Sequence, residues 1–130
     1  MTDFSSSFSI SASGLKAQAT RLRHVSENIA NADTPGYRRK TVPFETDRQN
    51  GGSEGKVTTG RVRLDQNDLA QLYDPSHPLA DETGHYAGSN VNLVIEIADA
   101  REAQRSYEAN LKMFDQARQM SGNLMDLLRR

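Results

Sequence analysis

The sequence predicts a mainly α-helical protein in which long N- and C-terminal amphipathic helices pair antiparallel as a coiled-coil-like hairpin, with a small β-hairpin-containing insert between them. Three observations predict it. Apolar residues recur at helical steps near both ends, a Pro35-Gly36 turn cuts the first pattern off, and the stretch that follows is built of short alternating runs broken by Gly and Pro. The expected organisation is a first helix of an elongated core within residues 1–34, an insert over residues 35–89 with a flexible loop near 49–55, and a last helix within residues 90–130.

Phe8, Leu15, Leu22 and Ile29 follow one another at a strict seven-residue spacing, with Ala12, Ala19, Val25 and Ala32 between them, so a helix is expected from about Ser5 to Ala32. Its opposite face is polar, carrying Lys16, Arg21, Arg23 and Glu27. Ser5, Ser6, Ser7 and Ser9 are candidate N-caps, and Gly14 weakens this end. The helix must stop at the corner that follows. Pro35 has no N–H and disfavours helical geometry at Thr34, while Gly36 supplies the positive φ of a type II turn. Asn31 suits a left-handed cap position and Asp33 a bond to its own backbone.

The insert reads as β structure. Residues 41–45 and 56–64 fit two short strands of a small hairpin, with alternation clearest at Val62 and Leu64, and the glycine-rich segment 49–55 between them is expected to be mobile. Leu69, Leu72 and Tyr73 fit a further strand or a helical turn, and Asp74-Pro75-Ser76-His77-Pro78 is a rigid bend. From about Asn92 the helical pattern runs to the end through Leu93, Ile97, Ala100, Tyr107, Leu111, Phe114, Ala117, Leu124 and Leu128. Asn92 is the expected cap, with Glu96 in the first turn where a carboxylate suits the helix dipole. An antiparallel pairing would bring Met1 and Arg130 to one tip.

Composition limits the functions open to such a chain. With 130 residues, 35% hydrophobic content and no Trp, and a mean hydropathy of -0.73, apolar surface is scarce for a self-sufficient globule, and assembly partners are expected to supply the missing burial. Sixteen basic and seventeen acidic residues give a formal charge of -1, which removes a sequence-wide electrostatic case for nucleic acid or anionic lipid. The absence of cysteine excludes disulfides, thiol catalysis and Cys-ligated metals. The N-terminus has neither the basic region nor the apolar core of a cleaved secretory signal, and no apolar run approaches the ~20 residues of a membrane span. Asp74, His77, Asp81 and His85 match no standard metal spacing, and no G-x-S-x-G elbow accompanies Ser76-His77, so neither a cofactor nor catalysis is expected.

Ala30-Asn31-Ala32-Asp33-Thr34-Pro35-Gly36-Tyr37 resembles the A-N-x-x-T-P-G-Y signature of the bacterial flagellar axial proteins of the basal-body rod and hook. Asn90-Val91-Asn92-Leu93, leading into the helix through Tyr107 and Asn110, resembles their C-terminal motif, and residues 73–84 resemble the segment found in proximal rod proteins. Leu79 and Ser89 depart from that pattern, standing where an acidic residue and a proline are usual. The resemblance implies a non-enzymatic structural subunit of the rod that carries torque across the periplasm. It further implies export by the flagellar type III apparatus and stacking with other rod proteins and copies of itself in a helical tube. On this reading Phe8, Leu15, Leu22 and Ile29 pack against Tyr107, Leu111, Phe114 and Leu124 and against neighbouring subunits. The matched motif residues Ala30, Asn31, Thr34, Pro35, Gly36, Tyr37, Asn90, Asn92 and Asn110 orient the helices. The rival from another class is a soluble helical-hairpin binding module whose β insert captures a ligand.

Overall fold

The computed structural model describes residues 2–48 and 55–129. The loop expected to be mobile lies outside them except for Gly55, as do Met1 and Arg130. Among the described residues two helices dominate, α1 (Thr2–Ala30) and α2 (Leu93–Leu128), and between them lie six short strands in three antiparallel pairs. Helix α1 begins ahead of the serines expected to cap it, which therefore sit within the helix. Ser13 instead donates its hydroxyl to the Ile10 carbonyl at 2.7 Å and accepts from the Val57 amide at 3.0 Å, tying the insert to the helix.

Contacts between α1 and α2 descend one helix as they climb the other. Phe8 meets Phe114 edge-on at 5.2 Å, Arg21 reaches Glu102 at 3.4 Å, and Asn28 reaches Glu96 at 3.3 Å. A Cβ on Gly14 would come within 3.0 Å of Asn110, so this glycine marks a close approach of the two helices rather than a simple weak point. In this register α1 runs out before the last turns of α2.

The seam between the helices is small and polar. Ala17, Val25 and Ala103 are the apolar residues buried among the described residues, beside His24, Asn28, Ser89 and Glu96. Along α2 the inward positions Glu96, Ala103, Asn110 and Ala117 recur every seven residues, with Ala100, Tyr107 and Phe114 between them, all buried or half-buried. Leu111 and Leu124, expected in the same stripe, stay exposed. On α1 the residues that meet α2, Gly14, Arg21 and Asn28, come one position before Leu15, Leu22 and Ile29, about 100° round the helix. The seven-residue row of large residues on α1 is thus the edge of the intrachain contact, half-buried at Phe8, Leu15 and Leu22 and exposed at Ile29.

The expected hairpin is present but broken in the middle. Strand β1 (Lys40–Thr41) pairs with β4 (Arg63–Leu64), and β2 (Phe44–Thr46) with β3 (Val57–Thr59). Val42 and Pro43 face Gly60, Arg61 and Val62, so the returning strand carries one extra residue and the register shifts there. Pro43 cannot donate to the ladder, its carbonyl accepts from the Gly60 amide at 2.9 Å, and a Cβ on Gly60 would lie 2.5 Å from the Glu45 carboxylate. Strands β1 and β3 rest on α1.

Leu72 and Tyr73 belong to β5 (Gln71–Tyr73), which pairs with β6 (His85–Ala87), a strand not anticipated because it is three residues long between two glycines. The loop joining them is held by its own side chains. Asp74 accepts from the Ser76 amide and hydroxyl, and Asp81 from the Thr83 amide, the Thr83 hydroxyl and the His85 amide, at 2.6 to 3.1 Å. His77 stacks on Tyr86 at 3.9 Å.

The bonds from Thr83 and His85 hold the Asp81 carboxyl below the ordinary aspartate value of 3.8. A depressed folded-state pKa stabilises the hairpin above the unfolded value and loses that contribution as pH falls through the folded one. Amide exchange at Thr83 and His85 should therefore accelerate only below the ordinary aspartate range, and Asp81→Asn, which keeps an acceptor oxygen, should weaken that pH dependence.

Candidate functional site

The site is the corner where α1 ends, the insert leaves and α2 begins. Helix α1 does not end on a left-handed asparagine, because no non-glycine among the described residues has positive φ. Asn31 instead turns its side-chain amide back to the Glu27 carbonyl at 2.9 Å and accepts the Thr34 hydroxyl at 3.1 Å. The chain then reverses through Pro35 and Gly36, with Gly36 at φ 75° and the Tyr37 amide bonded to the Thr34 carbonyl at 3.2 Å, as a type II turn requires. The Gly36 amide also reaches the Gly88 carbonyl at 3.0 Å, latching the turn onto the end of β6.

Four residues later the chain crosses its own helix. Asn28, with no exposed surface, accepts the Tyr37 hydroxyl at 2.8 Å and the Lys40 amide at 2.9 Å, and donates to the Lys40 carbonyl at 2.9 Å and to Glu96 at 3.3 Å. An asparagine amide presents a donor and an acceptor side by side, which matches the N–H and C=O of one extended residue. Asn28 thus pairs with Lys40 as a neighbouring strand would.

Glu96 carries the corner across to α2. It too has no exposed surface, and its second oxygen takes a close charge-assisted hydrogen bond from the Arg39 guanidinium, which also reaches Asp99 at 2.7 Å. Burial alone would lower the Arg39 pKa, but the hydrogen bond and charge of Glu96, with Asp99 and Asp65, outweigh it and raise the group. Tyr37 is raised by burial, helped by the charges of Glu27 and Glu96 against the opposing charge of Lys40, so its hydroxyl keeps the proton that Asn28 receives. Lys40 closes the outer side on Glu27 at 3.1 Å and holds that carboxyl below its ordinary value.

The second motif closes the frame. Asn90 accepts the Arg39 amide at 2.6 Å and donates to the Asp65 and Asn67 carbonyls, which Arg38 also binds. Asn92 caps α2 by accepting the Val94 amide at 3.0 Å. Ser89, standing where a proline is usual in the resemblance, is buried and donates its hydroxyl to the Ala32 carbonyl, a bond proline could not make.

Thr34, Pro35, Gly36 and Tyr37 are thereby brought together with Asn31, Asn90 and Asn92, whereas Asn110 lies in the seam opposite Gly14, well along α2. The geometry adds Glu96 and Asp99, which the sequence reading did not place at the corner, and gives Asn28 and Arg39, which lie in the corner stretch, roles that reading did not assign. A signal for Glu96 exists in retrospect: it occupies the same seven-residue row as Ala103, Asn110 and Ala117. The corner is a joint. Among the described residues it has no nucleophile beside a base, and its polar groups are matched to one another except at His24, which is buried beside Arg39 and Glu96 with neither ring nitrogen hydrogen-bonded.

Two long terminal helices clamped by a T-P-G-Y corner around a small β insert agree with the resemblance to the flagellar axial proteins, and sequence profiles show that class. Residues 8–38 match the family described as flagella basal body rod protein, and residues 82–127 the flagellar basal body rod FlgEFG protein C-terminal family. The chain is 45% identical to the flagellar basal-body rod protein FlgC of Agrobacterium fabrum, over 99% of this chain and 98% of that one. It is 35% identical to that of Salmonella typhimurium, over 87% and 89%, and 31% identical to that of Borreliella burgdorferi, over 95% and 96%. The chain belongs to the FlgC family of flagellar basal-body rod proteins.

Glu96→Ala should leave the Arg39 guanidinium with Asp99 as its remaining partner and cost about 2 kcal/mol. Chemical denaturation of the variant checks this, and the double variant Glu96→Met, Arg39→Met should recover most of the loss, because neither buried charge then remains unpaired.

Proposed function

We propose that this chain is a structural, non-enzymatic subunit of the flagellar basal-body rod, co-assembling with other rod proteins and with copies of itself through its terminal helices. One observation carries the reading. The chain buries few apolar side chains within itself, while α2 leaves Leu93, Val94, Ile97, Leu124, Leu127 and Leu128 between 42% and 77% exposed. Soluble monomers rarely leave so many large apolar side chains of one helix uncovered, and such surfaces mark contacts with partners.

In this reading the two helices form a coiled-coil-like hairpin, residues 1–34 and 90–130 make the core of a helical tube, and residues 35–89 stand on its periphery. Phe8, Leu15, Leu22 and Ile29, with Tyr107, Leu111, Phe114 and Leu124, supply both the intrachain edge and the contacts to neighbours. The corner fixes the angle between core and periphery, so that torque entering the tube is carried through a stiff subunit. Placement in the periplasm after passage through the type III export apparatus belongs to the same rod-subunit reading.

Leu22→Asp puts a charge on the half-buried α1 row at the edge of the intrachain contact, where a neighbour would complete its burial at a cost of several kcal/mol. The variant should be synthesised at the normal level yet be missing from purified basal bodies, with motility lost. Its appearance there at wild-type stoichiometry would exclude this edge from assembly.

A further inference from the structure

The chain has no cysteine, and apart from Met1 its sulfur is confined to Met113, Met120 and Met125 on α2. All three side chains stand open, at 61%, 50% and 44% exposure. Met113 and Met120 are seven residues apart and share one side of the helix, in a row that Leu127 continues, while Met125 lies about 140° round from Met120. Helix α1 gives this stretch little cover. Phe8 reaches Phe114, but a Cβ on Gly122 would meet nothing within 4 Å.

Exposure decides how readily a thioether meets a dissolved oxidant. With a peroxide the sulfur gives up two electrons and gains one oxygen atom: the S–O bond forms as the O–O bond breaks, and the remaining oxygen leaves as water with both protons. The product is polar and chiral where the thioether was apolar and pliable. A sulfoxide on a helix face in water keeps its oxygen solvated. Buried by a neighbour that offers no donor, the same oxygen is costly. The monomer therefore tolerates the change, and an assembly that covers these side chains does not. The joint is remote from the chemistry, since Glu96 and Met113 stand ~25 Å apart along α2, so the corner holds in both states.

Resting on the rod-subunit reading, we infer that Met113, Met120 and Met125 are oxidation sites, at which a peroxide converts the unassembled chain into a folded sulfoxide form that the rod does not accept. Incorporation then shields the same residues, because the neighbours that bury them keep the oxidant out. Leucine fills the apolar role in the same turns at Leu124, Leu127 and Leu128 and is close to methionine in volume. What methionine adds is chemistry that can be undone, since sulfoxide reductases restore the thioether.

The probe is hydrogen peroxide. On the purified free chain it should add one oxygen to each of the three methionines, read by peptide mass spectrometry, without moving the midpoint of chemical denaturation. In purified basal bodies the same dose should oxidise them about tenfold more slowly. The triple variant Met113→Gln, Met120→Gln, Met125→Gln carries an uncharged polar group in place of the sulfoxide and should fall about tenfold in basal bodies, whereas Met113→Leu, Met120→Leu, Met125→Leu should enter at the normal level. With the leucine variant and the unaltered chain expressed together, a peroxide pulse during basal-body synthesis should enrich the leucine variant in the basal bodies, a result that stands whether or not the glutamine variant folds. Equal loss of both co-expressed chains, normal incorporation of a folded glutamine variant, or oxidation of the free chain as slow as that in basal bodies would overturn the inference while leaving the rod reading intact. Absence of the unaltered chain from basal bodies of untreated cells would overturn the rod reading itself.

Discussion

The structure depends on a carboxylate and an amide that water does not reach. Glu96 on α2 and Asn28 on α1 have no exposed surface, touch each other, and between them engage Tyr37, Arg39 and Lys40 from the segment that leaves the corner. Apolar packing between two helices tolerates a small rotation or slide, because dispersion contacts are numerous and individually weak. A buried ion pair with matched hydrogen bonds does not, since any slip leaves a charge or a backbone group unpaired in a medium that cannot solvate it. The rotation of both helices about their axes is therefore tied to the geometry of the turn.

This explains how a chain poor in apolar residues keeps a defined shape. Its seam consists of alanines, a glycine contact and polar groups that are paired at Asn28 and Glu96 though not at His24, with aromatic residues toward the far end at Phe8 and Phe114. Small residues bring the helices close, and the corner network sets their register at the opposite end. The larger side chains are then free to stand outside the seam, where a monomer has no use for them and an assembly does.

Much of the architecture was legible because its signals are local. Proline after threonine, glycine after proline and Asn92 ahead of an apolar run dictate turn and cap through backbone sterics and single hydrogen bonds, and α1, α2 and the corner follow from them. The broken hairpin was readable in outline, but its shift of register depends on how Pro43 meets Gly60 across the ladder, which no one-strand pattern contains. The joint was less legible for a different reason. Hydrophobic periodicity weights large apolar residues, so it selected Leu15, Leu22, Leu111 and Leu124, whereas the inward positions are Ala17, Asn28, Glu96 and Ala103. Glu96 was noticed only as a carboxylate in a first turn. Its burial depends on Arg39, fifty-seven residues earlier, and only the folded corner brings the two together.

The same reversal gives the corner a consequence at a distance. In a long helix each residue is fixed in azimuth relative to every other, so holding Glu96 inward also fixes where Met113, Met120 and Leu127 point several turns away. If assembly uses the exposed rows of α2, the T-P-G-Y turn acts on it without touching a neighbour: it sets the rotation of α1 through Asn28 and that of α2 through Arg39 and Glu96. A subunit with a loosened corner would keep its helices and its apolar rows but present them at variable angles. The cost of ordering them would then fall on the assembly step, weakening every contact with a neighbour by the same conformational entropy. Polar burial in the joint and apolar exposure along α2 are thus two parts of one arrangement, in which the monomer's rigidity comes from hydrogen bonds and its hydrophobic surface is kept for its neighbours.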